Sequence, residues 1–413
     1  MADEAIPGFK FWKNVFPAFE SGGCFVAKPA LRNDGGVNGY DRRNMNIPGL
    51  AERLGWAWKA AFWPASLLYG QAVRARAAAY RWGWLETVRL PVPVFCLGNI
   101  TVGGSGKTPG AIWLAEYLLK KGRRPAVISR GYGARSKDAV RVVSDGAGKV
   151  LPFSQAGDEP LLIARRLPSV PVLTGADRAA VGRRAVEEFG ADALVMDDGF
   201  QHLRLFRNVN ILCLDTTEVT ALFERGGAAL LPAGRLREPL SALWRADVVL
   251  LTRAEGLARS KIVSIRRKVE ECLLDVPVVP VFGTLSFFER AGGGAVEASS
   301  LKGRLVLAVS GLARPESFEA ALRRLGMKVK PLRFSDHHLF TPDEREGILA
   351  SAKADGRRIV VTEKDAVRLP ADFPCLVARL EWSPQETKAP EKGDITPYAR
   401  TVPWTQRIDS AIS

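Results

Sequence analysis

Residues 94–120, VFCLGNITVGGSGKTPGAIWLAEYLLK, decide the fold of this chain. An apolar run comes first, a glycine-rich turn follows, and an amphipathic stretch begins directly after the glycines. This order predicts a buried strand, a loop and a helix. Glycines let backbone N–H groups turn towards phosphate oxygens, as in the GxxxxGK[ST] pattern of P-loop proteins. The segment therefore predicts a phosphate-binding loop at the start of a helix.

Two polar residues of this loop have separate predicted roles. Lys107 would neutralise the β and γ phosphates of a bound nucleotide, and the hydroxyl of Thr108 would bind Mg²⁺. The pattern asks for glycine at position 101, where this chain has threonine, and an ordinary glycine-rich turn before a helix is the alternative interpretation. The predicted nucleotide-binding residues are Thr101, Val102, Gly103, Gly104, Ser105, Gly106, Lys107 and Thr108.

A second apolar run, ALVMDDGFQH at residues 193–202, ends in two carboxylates. In a sheet that also carries a phosphate loop, Asp197 and Asp198 fit the position where a carboxylate meets the metal or its water. Paired acids at a strand end can also cap a helix or form a turn. Gln201 and His202 follow at the mouth of the predicted sheet, where open α/β sheets bind ligands. We predict Mg²⁺ at the carboxylates and substrate beside Gln201 and His202.

Short apolar runs alternate with helical stretches from Pro91 onwards. This alternation is typical of a doubly wound, mostly parallel α/β sheet of the P-loop NTPase class. A glycine-rich segment then leads into further strands and helices, which predicts a second, smaller α/β domain. The predicted division is an unassigned N-terminal extension at 1–46, an amphipathic membrane-contacting helical segment at 47–90, a P-loop kinase domain at 91–290, the smaller domain at 300–382 and a tail at 383–413.

The composition is that of a folded protein with an anionic partner. Of 413 residues, 47% are apolar and 25% are charged, which excludes wholesale disorder. The net charge of +15 suits nucleic acid, acidic lipid or a phosphorylated substrate, but the basic residues are dispersed and form no nucleic-acid recognition module. Five scattered cysteines without a CxxC pair argue against a zinc site. We see no secretory signal, so we expect a cytoplasmic protein.

Residues 47–90 are rich in aromatic and basic side chains. Five of the ten tryptophans lie here, and the segment contains six basic residues but only two acidic ones. The longest uncharged stretch, Ala60 to Val73, has 14 residues, fewer than the roughly 20 that cross a bilayer. An amphipathic helix lying on an anionic leaflet accounts for this pattern. A helical hairpin packed on its own domain accounts for it equally well.

Eight motifs between residues 47 and 380 occur in the order of a known family. They are GNITVGGSGKTP, VISRGYG, GDEP, DDGFQH, LLPAGRLREP, SGLARPESF, FSDHHLF and VTEKDAVRL. The chain thereby resembles the tetraacyldisaccharide 4'-kinases, the lipid A 4'-kinases of Gram-negative bacteria. The resemblance implies transfer of the γ-phosphate of ATP to the 4'-hydroxyl of tetraacyldisaccharide 1-phosphate, giving lipid IVA. It also implies a peripheral protein at the cytoplasmic face of the inner membrane, with a lipid substrate, no nucleic acid and no obligate protein partner.

The resemblance further implies that Asp158 of GDEP pairs with a histidine of SDHH. We assign that histidine to His337, with His338 as the alternative. A carboxylate oriented by imidazole, or the reverse, can accept the proton of a sugar hydroxyl. Asp158 also suits a helix N-cap, and His337 a structural role. Glu238 of GRLREP matches another acidic position of the family's site, and we assign it to Mg²⁺.

Three further residues follow strand ends on the predicted rim. Arg130 and Tyr132 of SRGYG, and Arg178 of GADR, are candidates for binding the substrate's phosphate or sugar, with a structural surface role as the alternative. Two other functions also fit a phosphate loop. One is a soluble kinase for a nucleotide or small alcohol, and the other is a switch or metallochaperone GTPase. The guanine signature NKxD is absent, which argues against the GTPase.

Overall fold

The computed structural model describes residues 47–131, 139–223, 229–273, 275–290, 293–384 and 404–413. The chain divides into two compact units. Of the described residues, the first contains 47–79 together with those of Ile100–Gly103 and Ala221–Ser241. The second contains Tyr80–Asn99, Gly104–Thr220 and Ala242–Ser413.

The first unit is dominated by one long helix, α1, which spans Ile47–Arg81 over 35 residues. The helix continues through Pro64, so the hairpin that the sequence also allowed does not form. No helix in the described ranges combines the length and the apolar character that crossing a membrane requires. The aromatic and basic segment is therefore a single helix up to Arg81, and residues 82–90, which were predicted as part of the helical segment, lie outside it.

One side of α1 packs on a later segment of the same unit. The hydroxyl of Ser66 donates to the carbonyl of Leu230 at 2.9 Å and accepts from the backbone N–H of Ala233 at 2.9 Å. One turn further on, the hydroxyl of Tyr69 donates to the carbonyl of Arg237 at 2.6 Å. Because Ser66 satisfies two backbone groups at once, it fixes both the rotation of α1 and its depth against this segment.

The second unit contains a single sheet of 13 strands. The strands are β1 Val94–Gly98, β2 Pro125–Ser129, β3 Arg141–Ser144, β4 Val172–Thr174, β5 Ala193–Met196, β6 Val209–Asp215, β7 Val248–Thr252, β8 Val278–Glu289, β9 Ala295–Val296, β10 Leu305–Ser310, β11 Lys328–Arg333, β12 Arg358–Thr362 and β13 Leu376–Pro384. Twelve of them follow the order β11-β10-β12-β13-β8-β7-β6-β1-β5-β2-β4-β3, and β9 pairs with β8. Among the strands of the described residues, only three pairs, β3 with β4, β9 with β8 and β13 with β8, are antiparallel.

Helices cover both faces of this sheet. They are α2 Lys107–Lys120, α3 Phe153–Ala156, α4 Asp158–Arg166, α5 Arg178–Phe189, α6 Thr216–Phe223, α7 Arg259–Glu270, α8 Pro315–Arg324, α9 Pro342–Ala354, α10 Glu363–Ala366 and α11 Thr405–Ile412. Alternate residues of β1 enter two different cores, one shared with α2 and α4 and the other with α5. Around β10 and β12, α9 packs on one face and α8 on the other. The predicted doubly wound α/β fold is confirmed.

The long strand β8 belongs to both halves of the sheet. Its first residues pair in parallel with β7, and its later residues, from Val281 to Glu289, pair antiparallel with β13. The strands predicted for a P-loop domain and those predicted for a smaller domain therefore form one continuous sheet. The domain boundaries themselves stay a prediction.

The short helix α11 packs beside α2, in the core that α2 shares with the sheet. The ring of Trp404 is 3% exposed and lies 5.0 Å from the ring of Trp113, centroid to centroid. Asp409 accepts a hydrogen bond from the hydroxyl of Tyr117 at 2.8 Å and pairs with Lys121 at 3.1 Å. The last residues of the chain thus cover the helix that follows the phosphate loop.

Candidate active site

The phosphate loop ends at a position that suits only glycine. Gly106 precedes α2 with φ of 81°, in the left-handed region that side chains disfavour. A Cβ at this position would lie 2.8 Å from Cζ2 of Trp382 on β13, so space is also lacking. The N–H groups of the first turn of α2 have no acceptor within the helix, and a phosphate is the ligand that such a helix start binds.

Thr108 and Asp197 meet at the start of α2. The hydroxyl of Thr108 donates to Oδ2 of Asp197 at 3.2 Å. Oδ1 of Asp197 is buried and accepts no hydrogen bond within the described part of the chain. Burial, followed by the charges of Glu159 and Asp198, raises the pKa of Asp197 to about 7. A cation beside this oxygen would remove the desolvation cost and keep the carboxylate ionised.

These residues fit Mg²⁺. The described ranges hold no group of three or more His, Cys, Asp or Glu side chains arranged as a metal site. Mg²⁺ does not need one, because it is usually held by one or two carboxylates together with waters and substrate phosphates. Thr108 and Asp197 supply a hydroxyl and a carboxylate of the required chemistry.

Lys107 lies between the ends of two strands. Its ammonium group donates to Oδ1 of Asn99 at 3.4 Å and lies 3.5 Å from Oδ1 of Asp198. The amide of Gln201 donates to the backbone carbonyl of Asn99 at 2.8 Å. Asn99, which directly follows β1, therefore connects the lysine of the loop with the turn after β5.

Asp158 and His337 form a close pair, although 179 positions separate them in the sequence. Asp158 is the first residue of α4, and its Oδ2 lies 2.6 Å from Nδ1 of His337. The backbone of His337 has φ of 59°, and 53% of its side chain is exposed. The imidazole is thus anchored at one nitrogen and open to solvent over about half its surface.

A third residue completes this cluster. The guanidinium of Arg368 is fully buried, and its Nε and Nη2 both donate to Oδ2 of Asp158, the former at 2.9 Å. Burial alone would raise the pKa of Asp158, but the hydrogen bonds from His337 and Arg368 outweigh it and lower that pKa to about 2. The carboxylate is therefore a stable anion at neutral pH.

The sequence alone assigned no role to Arg368. A signal was present in VTEKDAVRL, because an arginine between two apolar residues of a buried segment is seldom found without a partner. Its anchor is Asp365, which accepts from Nη1 of Arg368 at 3.3 Å and from the N–H of Gly311 at 2.9 Å.

The geometry agrees with what sequence comparison finds. The family model described as tetraacyldisaccharide-1-P 4'-kinase matches residues 58–392. The chain belongs to this kinase family. The tetraacyldisaccharide 4'-kinase of Anaeromyxobacter sp. (strain K) is 47% identical over 302 residues, which are 73% of this chain and 78% of that protein. That of Syntrophus aciditrophicus (strain SB) is 41% identical over 313 residues, or 74% and 82% of the two chains.

A solved structure supports both fold and family. The crystal structure of LpxK from Aquifex aeolicus in complex with ATP matches with a TM-score of 0.64 and 33% identity, covering 79% of this chain and 95% of that one. The family resemblance inferred from the eight motifs is thereby confirmed.

In this member of the kinase family, the first turn of α4 connects the Asp158–His337 pair with the phosphate loop. Glu159 accepts a hydrogen bond from the ammonium of Lys364 at 2.9 Å. The charge of Lys364, and after it that of Lys107, lowers the pKa of Glu159. Coulomb interactions weaken with distance, so an effect of Lys107 on the pKa of Glu159 indicates that the helix beginning with Asp158 is near the loop lysine.

His338, the alternative partner for Asp158, lies elsewhere. Its Nε2 is 2.9 Å from Oε2 of Glu344, and its ring stacks on Phe334 with centroids 4.8 Å apart. Phe340 contacts the same ring edge-on at 5.3 Å. These contacts give His338 a structural role in its loop.

The remaining predicted substrate residues of this kinase are placed less directly. Arg178 is buried and donates to the carbonyl of Ala176 at 2.7 Å, which holds it within its own turn. Arg130 directly follows β2 and is half-buried. His202 is also half-buried, and its backbone N–H closes a turn on Gly199 at 2.8 Å. Tyr132 lies outside the described residues.

Four predicted ligand-binding residues belong to the first unit. Within it, Val102 donates its N–H to the carbonyl of Arg235 at 2.9 Å and accepts at 2.9 Å from that arginine's side chain. Thr101 forms a bridge with the same segment, and Gly103 follows Val102 directly. Glu238 is buried in this unit. Their binding roles stay predictions.

Proposed function

We propose that this protein transfers the γ-phosphate of ATP to the 4'-hydroxyl of tetraacyldisaccharide 1-phosphate, which yields lipid IVA. One observation carries the proposal beyond family membership. Asp158, a buried carboxylate paired with the imidazole of His337, is the first residue of α4. The positive charge of the phosphate-loop lysine, Lys107, helps to lower the pKa of the next residue, Glu159. A proton acceptor and a phosphate-binding element thus occur in one unit, as transfer to an alcohol requires.

The chemistry divides between these two elements. The loop amides and Lys107 hold the triphosphate and stabilise charge on the phosphoryl group as it moves. Thr108 and Asp197 would hold Mg²⁺, which would supply further positive charge beside the phosphates. The pair Asp158–His337 accepts the proton of the attacking hydroxyl, because an unassisted sugar hydroxyl is a poor nucleophile at neutral pH.

Further residues are proposed contacts for the acceptor and the metal. Arg130, Gln201 and His202 follow strands at the carboxyl end of the sheet, the edge where ligands bind in open α/β folds. Arg178 and Tyr132 complete the proposed set for the acceptor's sugar and phosphate, and Glu238 and Asp198 the set for the metal.

Phosphoryl transfer can be tested directly with ATP labelled at the γ-phosphate. The full-length protein is incubated with Mg²⁺ and purified disaccharide 1-phosphate, and chromatography of the lipid fraction is compared with that of a reaction without lipid. We expect label in the lipid, dependent on Lys107. Label released only as inorganic phosphate, at a rate that ignores the lipid, would contradict the proposal and support the GTPase-like alternative. Label that enters a nucleoside or small alcohol offered in parallel reactions, but not the lipid, would support the soluble kinase.

We also propose that α1 lies on the anionic cytoplasmic surface of the inner membrane. On α1 the side chains of Trp63, Leu67 and Leu68 are 52%, 51% and 61% exposed, and Arg74 is exposed one to two turns further on. Apolar and aromatic side chains next to a cation are the composition of a helix that binds in the membrane interface. Docking there would let the substrate's acyl chains stay in the bilayer.

Vesicle sedimentation tests this surface. The triple variant Trp63→Ser, Leu67→Ser, Leu68→Ser is compared with the wild type and with Trp244→Ser, Val263→Ser, which removes exposed apolar side chains of the second unit. We expect only the triple variant to lose binding to vesicles that contain anionic lipid. Equal binding by all three proteins would contradict membrane contact through α1.

A further inference from the structure

Two backbone carbonyls of the phosphate loop are held by side chains from the end of β7. The hydroxyl of Thr252, a buried residue, donates to the carbonyl of Ser105 at 3.0 Å. The guanidinium of the next residue, Arg253, donates through Nη2 to the carbonyl of Gly104 at 2.8 Å. Two consecutive carbonyls of the loop are therefore fixed by two consecutive residues, the last residue of β7 and the one that follows it. Neither Thr252 nor Arg253 has a role in the chemistry described so far.

Arg253 is itself rigidly placed. Its backbone has φ of 58°, a left-handed conformation that costs a side-chain-bearing residue free energy and persists where surrounding contacts enforce it. Its carbonyl accepts from the hydroxyl of Thr216 at 2.8 Å, and its Nη1 donates to Oδ2 of Asp215 at 2.6 Å. The planar guanidinium thus joins Asp215, at the end of β6, to the carbonyl of Gly104.

Asp215 also receives an arginine from a later part of the sheet. Arg314, in the SGLARPESF motif directly before α8, has its Nη1 3.4 Å from Oδ2 of Asp215 and 3.3 Å from the hydroxyl of Thr217. Its Nη2 pairs with Glu218. The Asp215 carboxylate is almost completely buried, so two cations share one anion that water hardly reaches. A network of this kind is stronger than an exposed ion pair.

We propose that Thr252 and Arg253 are positioning residues of the phosphate loop, and that Arg314 couples them through Asp215 to the segment before α8. A loop binds a triphosphate only when its N–H groups face the phosphates, and a carbonyl turned inward would repel them. By holding the carbonyls of Gly104 and Ser105, Thr252 and Arg253 keep the loop in its binding conformation before the nucleotide arrives. None of these side chains needs to touch ATP.

The test measures ATP affinity in the full-length protein, so it rests on nucleotide binding at the loop and not on the identity of the acceptor. Thr252→Val keeps the shape of the side chain and removes its donor, whereas Arg253→Gln removes the charged fork. We expect each variant to raise the Kd for a fluorescent ATP analogue about tenfold, or ~1.4 kcal/mol, and to leave the KM for the lipid unchanged. Arg253→Lys should recover part of the affinity, because lysine keeps the charge but reaches only one of the two acceptors.

Arg266→Gln is the matched control. Arg266 makes an equally short bond, 2.6 Å, to Glu270 within α7, and its loss should leave the Kd for nucleotide unchanged. A Kd within twofold of wild type in both Thr252→Val and Arg253→Gln would overturn the proposal. So would a lowered melting temperature with unchanged ATP affinity, since that outcome indicates a merely structural network.

Coupling is tested by a double-mutant cycle between Arg253→Gln and Arg314→Gln. If both arginines act through Asp215, the double variant should lose less affinity for the nucleotide than the sum of the two single losses. Strict additivity would overturn the role of Arg314. Failure of lipid phosphorylation together with intact shifts in nucleotide affinity would contradict the proposed acceptor and leave this inference standing.

Discussion

Arg368 donates two hydrogen bonds to the same oxygen of Asp158 that lies against Nδ1 of His337. A buried guanidinium and a buried carboxylate stabilise each other only when their hydrogen bonds are made, and here they are. The imidazole of His337 therefore rests on an anion whose charge and orientation Arg368 maintains.

The charge of Arg368 should determine the pKa of Asp158. In Arg368→Gln we expect that pKa to rise from about 2 to above the usual value of ~3.9, because burial then acts with only His337 to oppose it. Titration of carboxyl-labelled aspartate by ¹³C NMR measures the change. Arg368→Lys, which keeps a positive charge, is the control and should retain a low pKa. A value that stays near 2 in the glutamine variant would contradict this account.

Asp158 should also make stability depend on pH. Its pKa is lower in the folded chain than in the unfolded chain, so its contribution is present above ~3.9 and disappears as the pH falls through about 2. We expect the free energies of unfolding of wild type and Asp158→Asn to differ by about 2 to 3 kcal/mol at pH 7, and by clearly less at pH 3. Urea titrations at both pH values provide the measurement. A difference that does not change with pH would show that the ionised carboxylate is not responsible.

Removing either member of the pair should slow the chemical step. We expect Asp158→Asn and His337→Gln to lower kcat about 10² to 10⁴-fold while ATP binding is kept, since a general base typically contributes that much. His338→Gln is a matched control because His338 binds Glu344 and aromatic rings instead of Asp158. This variant should lower the melting temperature and leave kcat nearly unchanged. Losses below tenfold in both site variants would exclude the pair as the base.

The metal should act through Asp197. In the wild type, Mg²⁺ added to ATP should raise the melting temperature above the value with ATP and EDTA, because a ligand that binds only the folded state stabilises it. Asp197→Asn should abolish this difference, whereas Asp145→Asn, in the turn after β3, should preserve it. Thermal unfolding with each combination of ligands distinguishes these outcomes.

Lys107→Ala should abolish turnover and keep the fold. The labelled-ATP assay measures the turnover of this variant, and thermal unfolding without ligand shows whether it is folded.

Truncation of two tryptophans of the second unit should change the free energy of unfolding by very different amounts. Trp404→Ala removes a ring packed against Trp113, and we expect it to cost about 3 to 5 kcal/mol of unfolding free energy. Trp244 is 81% exposed, so Trp244→Ala should change stability by less than about 0.5 kcal/mol. Denaturant unfolding of both variants provides the comparison, and equal costs would contradict the packing of α11.

The parts of the site that the sequence could predict are those in which neighbours in the chain act together. The glycines, Lys107 and Thr108 form one turn, and Asp197 with Asp198 ends one strand, so each pattern is complete within a few residues. The sheet follows from apolar runs of strand length for the same reason. The pairing of Asp158 with His337 came from the family resemblance, because nothing local to either residue indicates the other.

Contacts between distant parts of the chain could not be predicted. Arg368 and Asp158 are 210 positions apart, and Arg253 and Gly104 are 149 apart. Their geometry is fixed by the order of the strands in the sheet, which periodicity does not reveal. In residues 47–90 the composition fitted a single helix and a hairpin alike, and the unbroken helix Ile47–Arg81 of the structure distinguishes the two.

The helix α11 has a practical consequence for recombinant work. It begins at Thr405, beyond residue 392, where the match to the family ends. A version of the chain that ends at that boundary would lack the indole of Trp404 that packs against Trp113. It would therefore expose an apolar surface on α2, and such surfaces are prone to aggregation. Any shortened version of the chain should therefore retain residues 404–413.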